Sequence, residues 1–391
     1  MANGVIGRGS LPANYEDFKG AVTANLLLPT PQPQYLFAQF AMSGRLSLAA
    51  LNAGATSVQQ YVSMAGAGAP ISSDLDRLIR TADAYPGFFQ TIDQFGKGMG
   101  DTIKFQRPVF SNGGLDKASR KLNTNQTIST TGRTIQTEEV PIVLDEYHGP
   151  YSSDGSAPQP LAIWGFDAKF RANKLSLVSL ATLTLTQDYT IWLDRVLRDE
   201  LRAGATQTLS DESFADVTAY TTGGGSTFSL EQIFRARKAL TDREWRPFPN
   251  GRYVLLVPTV FNTQMVSDIE YRELSKVHAD RNQLFGYIGS VQDVDIFECS
   301  TLKSYAATDT VPGTGGGTVG TGVALEEAIM VGPGAVGFGT AAPDPENEMG
   351  PVARFADDTN YGTVAKVVWY ALHAIGGLDL RGVQRLIAQS A

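Results

Sequence analysis

Residues 174–204 read KLSLVSLATLTLTQDYTIWLDRVLRDELRAG and carry the strongest helical pattern in the chain. Apolar residues recur there at spacings of three and four, which places them on one face of a helix of roughly 25 residues or more. Gly204 stands where a C-terminal stop is expected. The pattern predicts a long helix that packs through this apolar stripe: Val178, Ala181, Leu185, Tyr189, Trp192 and Val196.

The last turns of this predicted helix carry six charged residues: Asp194, Arg195, Arg198, Asp199, Glu200 and Arg202. A run of charges on a helix is usually a solvated face, and we expect a solvated face here. The alternative is a seam of salt bridges to another subunit.

Two strand-like runs precede the helix, at residues 101–110 (DTIKFQRPVF) and 133–147 (RTIQTEEVPIVLDEY). Apolar residues alternate in both, as Ile103 and Phe105 do in the first. The stretch between them, 111–132, is turn-forming and basic. Because loops beyond about 12–15 residues are usually functional or disordered, we predict a long two-stranded extended loop.

The first 85 residues lack the pattern of a compact domain. They include a proline stretch around Pro29, Pro31 and Pro33, followed by segments of small residues. Proline fixes an extended backbone there. An extended segment does not bury its apolar groups by itself, so we predict an N-terminal arm that lies across a partner.

The second half alternates between helical and strand-like segments. Ser229 and Gln232 have the spacing of a capping box before a helix, residues 252–258 read as a buried strand, and 381–389 (RGVQRLIAQ) read as a short terminal helix. No regular strand–helix unit repeats. We therefore predict an α+β protein of two domains joined by the long helix.

Composition limits the possible functions. Charged residues make up 18% of the 391-residue chain, below the roughly 25% of an average soluble protein, which suits a subunit covered by neighbours. The net charge of −8 argues against general binding of nucleic acid, because phosphate contacts come mainly from Lys and Arg. The single cysteine, Cys299, fits a reducing cytoplasm. With no apolar run of membrane length and no signal-peptide pattern, we expect a soluble, non-secreted protein.

The sequence offers little for catalysis. Its three histidines, His148, His278 and His373, lie far apart without metal-ligand spacing, and it has no GxSxG or GxxxxGK[ST] motif. Cys299 lies among alternating apolar residues and is interpreted as a buried structural thiol. We predict no enzyme activity, no metal and no cofactor.

Gly332, Gly334 and Gly337 match the GxGxxG pattern of dinucleotide-binding loops. In such a site the pyrophosphate rests on the N-terminus of the helix that follows. Residues 338–351 have no helical period and contain three prolines, at 343, 345 and 351. We interpret the glycines as a tight turn between strands and keep a nucleotide-binding enzyme as a remote alternative.

The order of arm, two-stranded loop, long helix, mixed lobe and returning strand resembles the Hong Kong 97 fold of tailed-phage capsid proteins. Local stretches are similar to the major capsid proteins of schitovirus-type podoviruses. These stretches are GKGMGDTIKFQRPVF (96–110), VPIVLDEYHGPY (140–151), RYVLLVPTVFNTQM (252–265), IMVGPGAVGFG (329–339) and VAKVVWYALHAIGGLDL (364–380).

This resemblance implies a division of the chain into five segments. They are an N-terminal arm (1–85), an extended β-hairpin loop (86–150), a spine helix with the peripheral domain (151–206), an axial domain (207–360) and a C-terminal return to the peripheral domain (361–391).

The resemblance also implies a function. The chain would be a major capsid protein whose hexamers and pentamers form the icosahedral head around the double-stranded DNA genome of a tailed phage. Its extended loop would meet acidic surface on a neighbouring subunit through Arg107, Lys117, Arg120, Lys121 and Arg133.

Other partners implied are portal and scaffolding proteins and packaged DNA on the inner face, with no membrane; a decoration protein is a further candidate. The protein would belong to the virion and assemble in the host cytoplasm. An encapsulin-like nanocompartment shell, with the same fold and a protein cargo, is the alternative.

Overall fold

A computed structural model describes residues 35–52, 73–94, 102–108, 137–150, 159–164, 177–203, 206–209, 216–222, 226–267, 284, 286–312, 316–341, 352–359 and 364–390. These residues form helices and mixed sheets, which confirms the α+β class. The described helices are α1 (Leu36–Asn52), α2 (Ser73–Ala84), α3 (Leu177–Arg202), α4 (Val217–Thr222), α5 (Leu230–Asp242) and α6 (Thr259–Ser267).

One sheet has six strands built around a long central strand. Its strands are β1 (Phe89–Gln94), β4 (Asp145–Gly149), β5 (Leu161–Trp164), β14 (Val336–Ala341), β15 (Val352–Thr359) and β16 (Val364–Gly377). The central strand β16 pairs antiparallel with β14, β15, β4 and β5, while β1 adds in parallel to β14.

A second sheet has seven strands: β6 (Thr206–Leu209), β7 (Tyr253–Val257), β8 (Tyr287–Val291), β9 (Val294–Glu298), β10 (Ser304–Tyr305), β13 (Leu325–Val331) and β17 (Val383–Gln389). Their order is β6-β17-β13-β7-β9-β8, with β10 paired to β13. Two short strands, β11 (Thr310–Val311) and β12 (Gly317–Thr318), pair with each other separately. All five residues of β7 are buried, as predicted for this segment. A strand covered on both faces is apolar throughout and does not alternate.

Helix α3 lies in one core with both sheets. Its 26 residues match the predicted long helix. Leu185 packs in the same apolar cluster as Phe338 and Trp369 of the six-stranded sheet and Leu256 and Ile329 of the seven-stranded sheet. The opposite face of the seven-stranded sheet is covered by α5 and α6.

Ser229 is the N-cap residue of α5, but its side chain makes no capping hydrogen bond. The predicted capping box is therefore absent. Gln232 is buried and donates from Nε2 to the carbonyl of Ile387 at 3.0 Å. It bonds the helix to β17, so packing onto the sheet overrides the local capping pattern.

The two strand-like runs form a hairpin of β2 (Thr102–Pro108) and β3 (Thr137–Val143), as predicted. Ile103 and Phe105 are buried on the six-stranded sheet. A Cβ atom at Gly337 would lie 2.9 Å from the Phe105 ring, and one at Gly339 would lie 2.5 Å from the Ile103 side chain. The two glycines therefore clear the face of β14 that receives the hairpin.

The predicted arm (1–85) is wrong for the first part of α1. Phe37, Ala38 and Phe40 are buried in the shared core, and the Phe40 ring stacks on Phe88 at 4.0 Å between centroids. The segment LFAQFA has apolar residues at helical spacing, which the small and proline-rich residues around it obscured. Residues 1–34 and 53–72 lie outside the described residues.

The C-terminal segment also differs from the prediction. Residues 383–389 form strand β17, not a helix, and they pair antiparallel with β13 and parallel with β6. The predicted boundary at residue 360 does not separate the sheets either. Strands β14 and β15 belong to the six-stranded sheet, whereas β17 belongs to the seven-stranded one.

The chain crosses between the two sheets twice at one place, after β13 and after β16. The crossings are joined by hydrogen bonds from Gly332 N to the carbonyl of Gly382 (2.9 Å) and from Leu378 N to that of Ala335 (2.9 Å). A Cβ atom at Gly332 or Gly382 would overlap the indole ring of Trp245. Both glycines thus make room for this side chain at the junction.

We expect Gly332→Ala and Gly382→Ala each to lower the free energy of unfolding by about 1–3 kcal/mol, because the rigid indole has to move. Denaturant unfolding measures the loss. Adding Trp245→Leu should recover part of it. The matched control is Gly377→Ala, whose methyl would first meet the flexible Leu380 side chain, at 3.3 Å. An equal loss in the control would contradict this account.

Candidate functional site: assembly surfaces

The outer face of the hairpin is open to another molecule. Thr102, Lys104, Glu139, Pro141 and Val143 are exposed on it, and 56% of Val143 is accessible. Lys104 Nζ lies 2.8 Å from Glu139 Oε2. An exposed ion pair of this kind stabilises by at most about 1 kcal/mol, so this face presents a small apolar surface beside a weakly held pair.

Four exposed carboxylates follow one another along the chain from β3 into β4. These residues are Glu138, Glu139, Asp145 and Glu146, which we call the acidic run. The backbone of Arg107 pairs with that of Glu138 in the hairpin register. The Arg107 side chain and residues Lys117, Arg120, Lys121 and Arg133 lie outside what the structure describes, so their predicted contacts stay predictions.

The stripe predicted for the long helix is found in part. Leu185 and Tyr189 are buried, Trp192 and Val196 are half-buried, and the Val178 side chain lies outside the described residues. Towards the C-terminal end the buried line runs instead through Leu193, Leu197 and Leu201. The spacing of four residues keeps these side chains on one side of the helix, because an α-helix has 3.6 residues per turn.

The charged run at the end of α3 is not simply a solvated face. Arg195 and Asp199 are exposed as expected, but Asp194 and Arg202 are buried. This corrects the prediction from composition alone. Both buried residues bond within the chain, where a seam to another subunit would have left them on the surface.

Arg202 belongs to a buried ionic cluster on the seven-stranded sheet. Glu327 on β13 accepts from Arg202 Nε at 3.0 Å, from Arg385 Nε on β17 at 2.7 Å and from Tyr305 Oη at 2.6 Å. Asp199 accepts from Arg202 Nη1 at 3.0 Å. Two guanidinium groups thus meet two carboxylates, which balances the charge and ties the end of α3 to the sheet.

A second buried carboxylate anchors the N-terminal part of the chain. Asp295 on β9 accepts from Tyr85 Oη at 2.6 Å and from Arg252 Nη1 at 2.9 Å. Sequence reasoning missed Asp295, Glu327 and Arg385 as structural residues. The available signal was one or two charged residues within an otherwise apolar strand run, as in LEEAIMV, VQRLIAQ and VDIFE.

Two buried titratable groups, those of His373 and Cys299, are poorly suited to catalysis. Burial and the positive charge of Arg45 lower the pKa of His373 to about 3, and its Nε2 lies 2.8 Å from Tyr189 Oη. Burial raises the pKa of Cys299 to about 12, so the thiol stays protonated at neutral pH, and its predicted burial is confirmed. No cluster of potential metal ligands occurs among the described residues.

Within the same described set, no helix is long and apolar enough to cross a membrane.

The turn predicted between the strands is confirmed for Gly332 and Gly334, whereas Gly337 lies within β14. Residues 332–335 connect β13 to β14, and Gly334 has φ +72°. A strand follows the turn where a dinucleotide site needs a helix. Trp245 fills the space in front of Gly332 and Phe105 fills that in front of Gly337, so two of the three glycines of the pattern are not open to a phosphate on that side.

No family model matches the sequence, and no curated protein matches it. Solved structures do match, and they identify the fold as that of phage capsid subunits. At these low identities the likeness concerns the fold alone. It confirms the resemblance to phage capsid proteins drawn from the sequence, while the podovirus type stays a prediction.

Three of these structures cover most of both chains. The capsid of Ralstonia phage GP4 is 14% identical with a TM-score of 0.53, over 78% of this chain and 87% of that chain. The cyanophage Pam1 capsid is 12% identical with a TM-score of 0.51, over 78% and 88%. The head of Helicobacter pylori bacteriophage KHP40 is 11% identical with a TM-score of 0.50, over 79% and 88%.

We expect Glu327→Gln to lower the free energy of unfolding by about 3–5 kcal/mol, because Arg202 and Arg385 lose the carboxylate that compensates them in a buried place. The matched control is Glu139→Gln on the exposed hairpin face, with an expected change below about 1 kcal/mol. Denaturant unfolding compares the two variants. Equal losses would show that the buried cluster contributes no more than a surface pair.

Proposed function

We propose that this chain is the major capsid protein of a tailed phage. Its copies assemble into hexamers and pentamers, which form the icosahedral head that encloses the double-stranded DNA genome. The observation that carries the proposal is the fold, shared over 78–79% of this chain with subunits of three phage capsids. The open outer face of the hairpin, with its exposed Val143, supports a contact between copies.

In this proposal the Hong Kong 97 domains follow the two sheets. The six-stranded sheet with α3 is the peripheral domain, and the seven-stranded sheet with α5 and α6 is the axial domain. The hairpin of β2 and β3 is the base of the extended loop. The two crossings near Trp245 join the domains, so both contain segments that are far apart in the sequence.

Opposite charges on one chain support a contact between the extended loop and a neighbour. The loop sequence between β2 and β3 contains Lys117, Arg120, Lys121 and Arg133, whereas the acidic run exposes four carboxylates. We propose that the basic loop of one copy meets the acidic run of the next. Such head-to-tail contacts close into rings when the rotation allows it.

The remaining partners follow from the same proposal. Portal and scaffolding proteins would take part in assembly, a decoration protein is a further candidate, and DNA would face the inner wall without sequence preference. The net charge of −8 fits a wall that does not hold the DNA tightly. The protein would be found in the virion after assembly in the host cytoplasm.

Electron microscopy of the expressed chain, with and without scaffolding protein, tests the proposal directly. We expect closed shells of uniform size, and particles from infected cells should protect DNA from nuclease. A chain that stays monomeric under every condition would contradict the capsid assignment. Shells that contain a protein cargo and no DNA would favour the encapsulin-like alternative.

Two triple variants that each remove three positive charges test the loop contact. We expect the triple Ser variant of Lys117, Arg120 and Lys121 to need about tenfold more protein for assembly, because each exposed pair contributes roughly 0.5 kcal/mol. Light scattering against protein concentration measures this. The matched control replaces Lys238, Arg246 and Lys303, which are exposed elsewhere, with Ser.

Raising the salt concentration should weaken assembly of the wild-type chain more than that of the loop variant, because salt screens exposed charges. An equal effect of salt on both, or equal assembly defects in variant and control, would count against this contact.

A further inference from the structure

Asp194 joins three parts of the fold through one carboxylate. It projects from α3, and its Oδ1 accepts from the backbone N–H of Ala38 near the start of α1, at 3.2 Å. Its Oδ2 accepts from Thr301 Oγ1, in the segment after β9, at 2.6 Å. The side chain is fully buried. The contact to Ala38 spans 156 residues of sequence, so a remote carboxylate caps the first turn of α1.

The described bonds to this carboxylate come from neutral donors only. Arg198, on the same helix, directs its guanidinium to Asp199 at 2.9 Å and to the carbonyl of Thr301 at 2.6 Å. Cys299 is the titratable group on the β9 side, and its Sγ lies 3.3 Å from Thr301 Oγ1. On α1 the first ionisable residue is Arg45, which acts on Tyr189 and His373.

Burial disfavours the charged form of a carboxylate, while hydrogen bonds to it favour that form. For Asp194 burial is the larger effect: it raises the pKa to about 6, even though the bonds from Thr301 and the α1 backbone and the charge of Arg198 lower it. Asp295 has a different environment, because Arg252 is bonded directly to it.

We propose that Asp194 makes the docking of α1 pH-dependent. With a protonated carboxyl, α1 stays closed on α3 and on the segment after β9. With an ionised carboxylate, α1 opens more often, because opening lets water reach the charge.

The sign follows from proton linkage. The docked form has the higher pKa and therefore binds more protons between about pH 4 and pH 6. The stability of docking is highest below this range and is lost as the pH rises through about 6. From pH 5 to pH 7.5 the opening equilibrium of α1 should increase about tenfold and then level off.

Amide hydrogen exchange of the full chain, followed by mass spectrometry and corrected for intrinsic rates, measures this opening in residues 36–45. We expect the tenfold change in the wild-type chain and a flat profile in Asp194→Asn. Asp242→Asn, which removes an exposed carboxylate on α5, should keep the wild-type profile. Strand β13 serves as the internal reference, and its amide exchange should not show the pH dependence of α1.

A second variant keeps the test usable if Asp194→Asn does not fold. Thr301→Val removes one donor to the carboxylate, so the midpoint of the pH dependence should move upwards. Three results would each overturn the proposal. The first is wild-type pH dependence in Asp194→Asn, and the second is an unmoved or lowered midpoint in Thr301→Val. The third is the same pH profile of exchange in β13 as in α1.

Discussion

Helix α3 buries one apolar side against two sheets at once, and the rest of the fold depends on this shared core. Leu185 and Tyr189 pack with Trp369 on the six-stranded sheet, while Leu256 and Ile329 of the seven-stranded sheet belong to the same cluster. Two sheets with separate interiors could shift against each other. Because these sheets share a core, a displacement of either one disturbs the packing of α3. The chain also passes from one sheet to the other at the two crossings near Trp245, and these connections restrict the same movement.

A helix in that position also carries some of its polar residues inside, and α3 compensates two of them in different ways. Arg202 meets the carboxylate of Glu327, so the two opposite charges compensate each other in the interior. Asp194 is held by neutral donors, which include the backbone N–H of Ala38 and the hydroxyl of Thr301. The ion pair therefore fixes the helix end to the sheet. The single carboxylate makes the neighbouring contact to α1 depend on pH.

The sequence predicts those parts of the structure in which local periodicity and packing agree. The 26 residues of α3, the hairpin with buried Ile103 and Phe105, the strand at 253–257 and the turn at Gly334 all follow from spacing alone. The sequence predicts a helix for residues 383–389 because Val383, Leu386 and Ile387 fit a helical spacing. The segment is a strand, and a strand covered on both faces does not show the alternation that would identify it. Pairings such as Arg202 with Glu327 connect residues 125 positions apart, and no local pattern encodes them.

The hairpin uses its inner side within the chain and exposes its outer face. Phe105 packs against Gly337 and Ile103 against Gly339, so the outer face and the acidic run are the surfaces that we propose for contacts between copies. Charge attraction between a basic loop and an acidic run is compatible with a closed two-fold pair as well as with a ring. A two-fold pair would use both surfaces of both partners and stop at a dimer. In a ring, each copy binds one neighbour through its basic loop and the other neighbour through its acidic run. A shell made of five- and six-membered rings requires this head-to-tail arrangement.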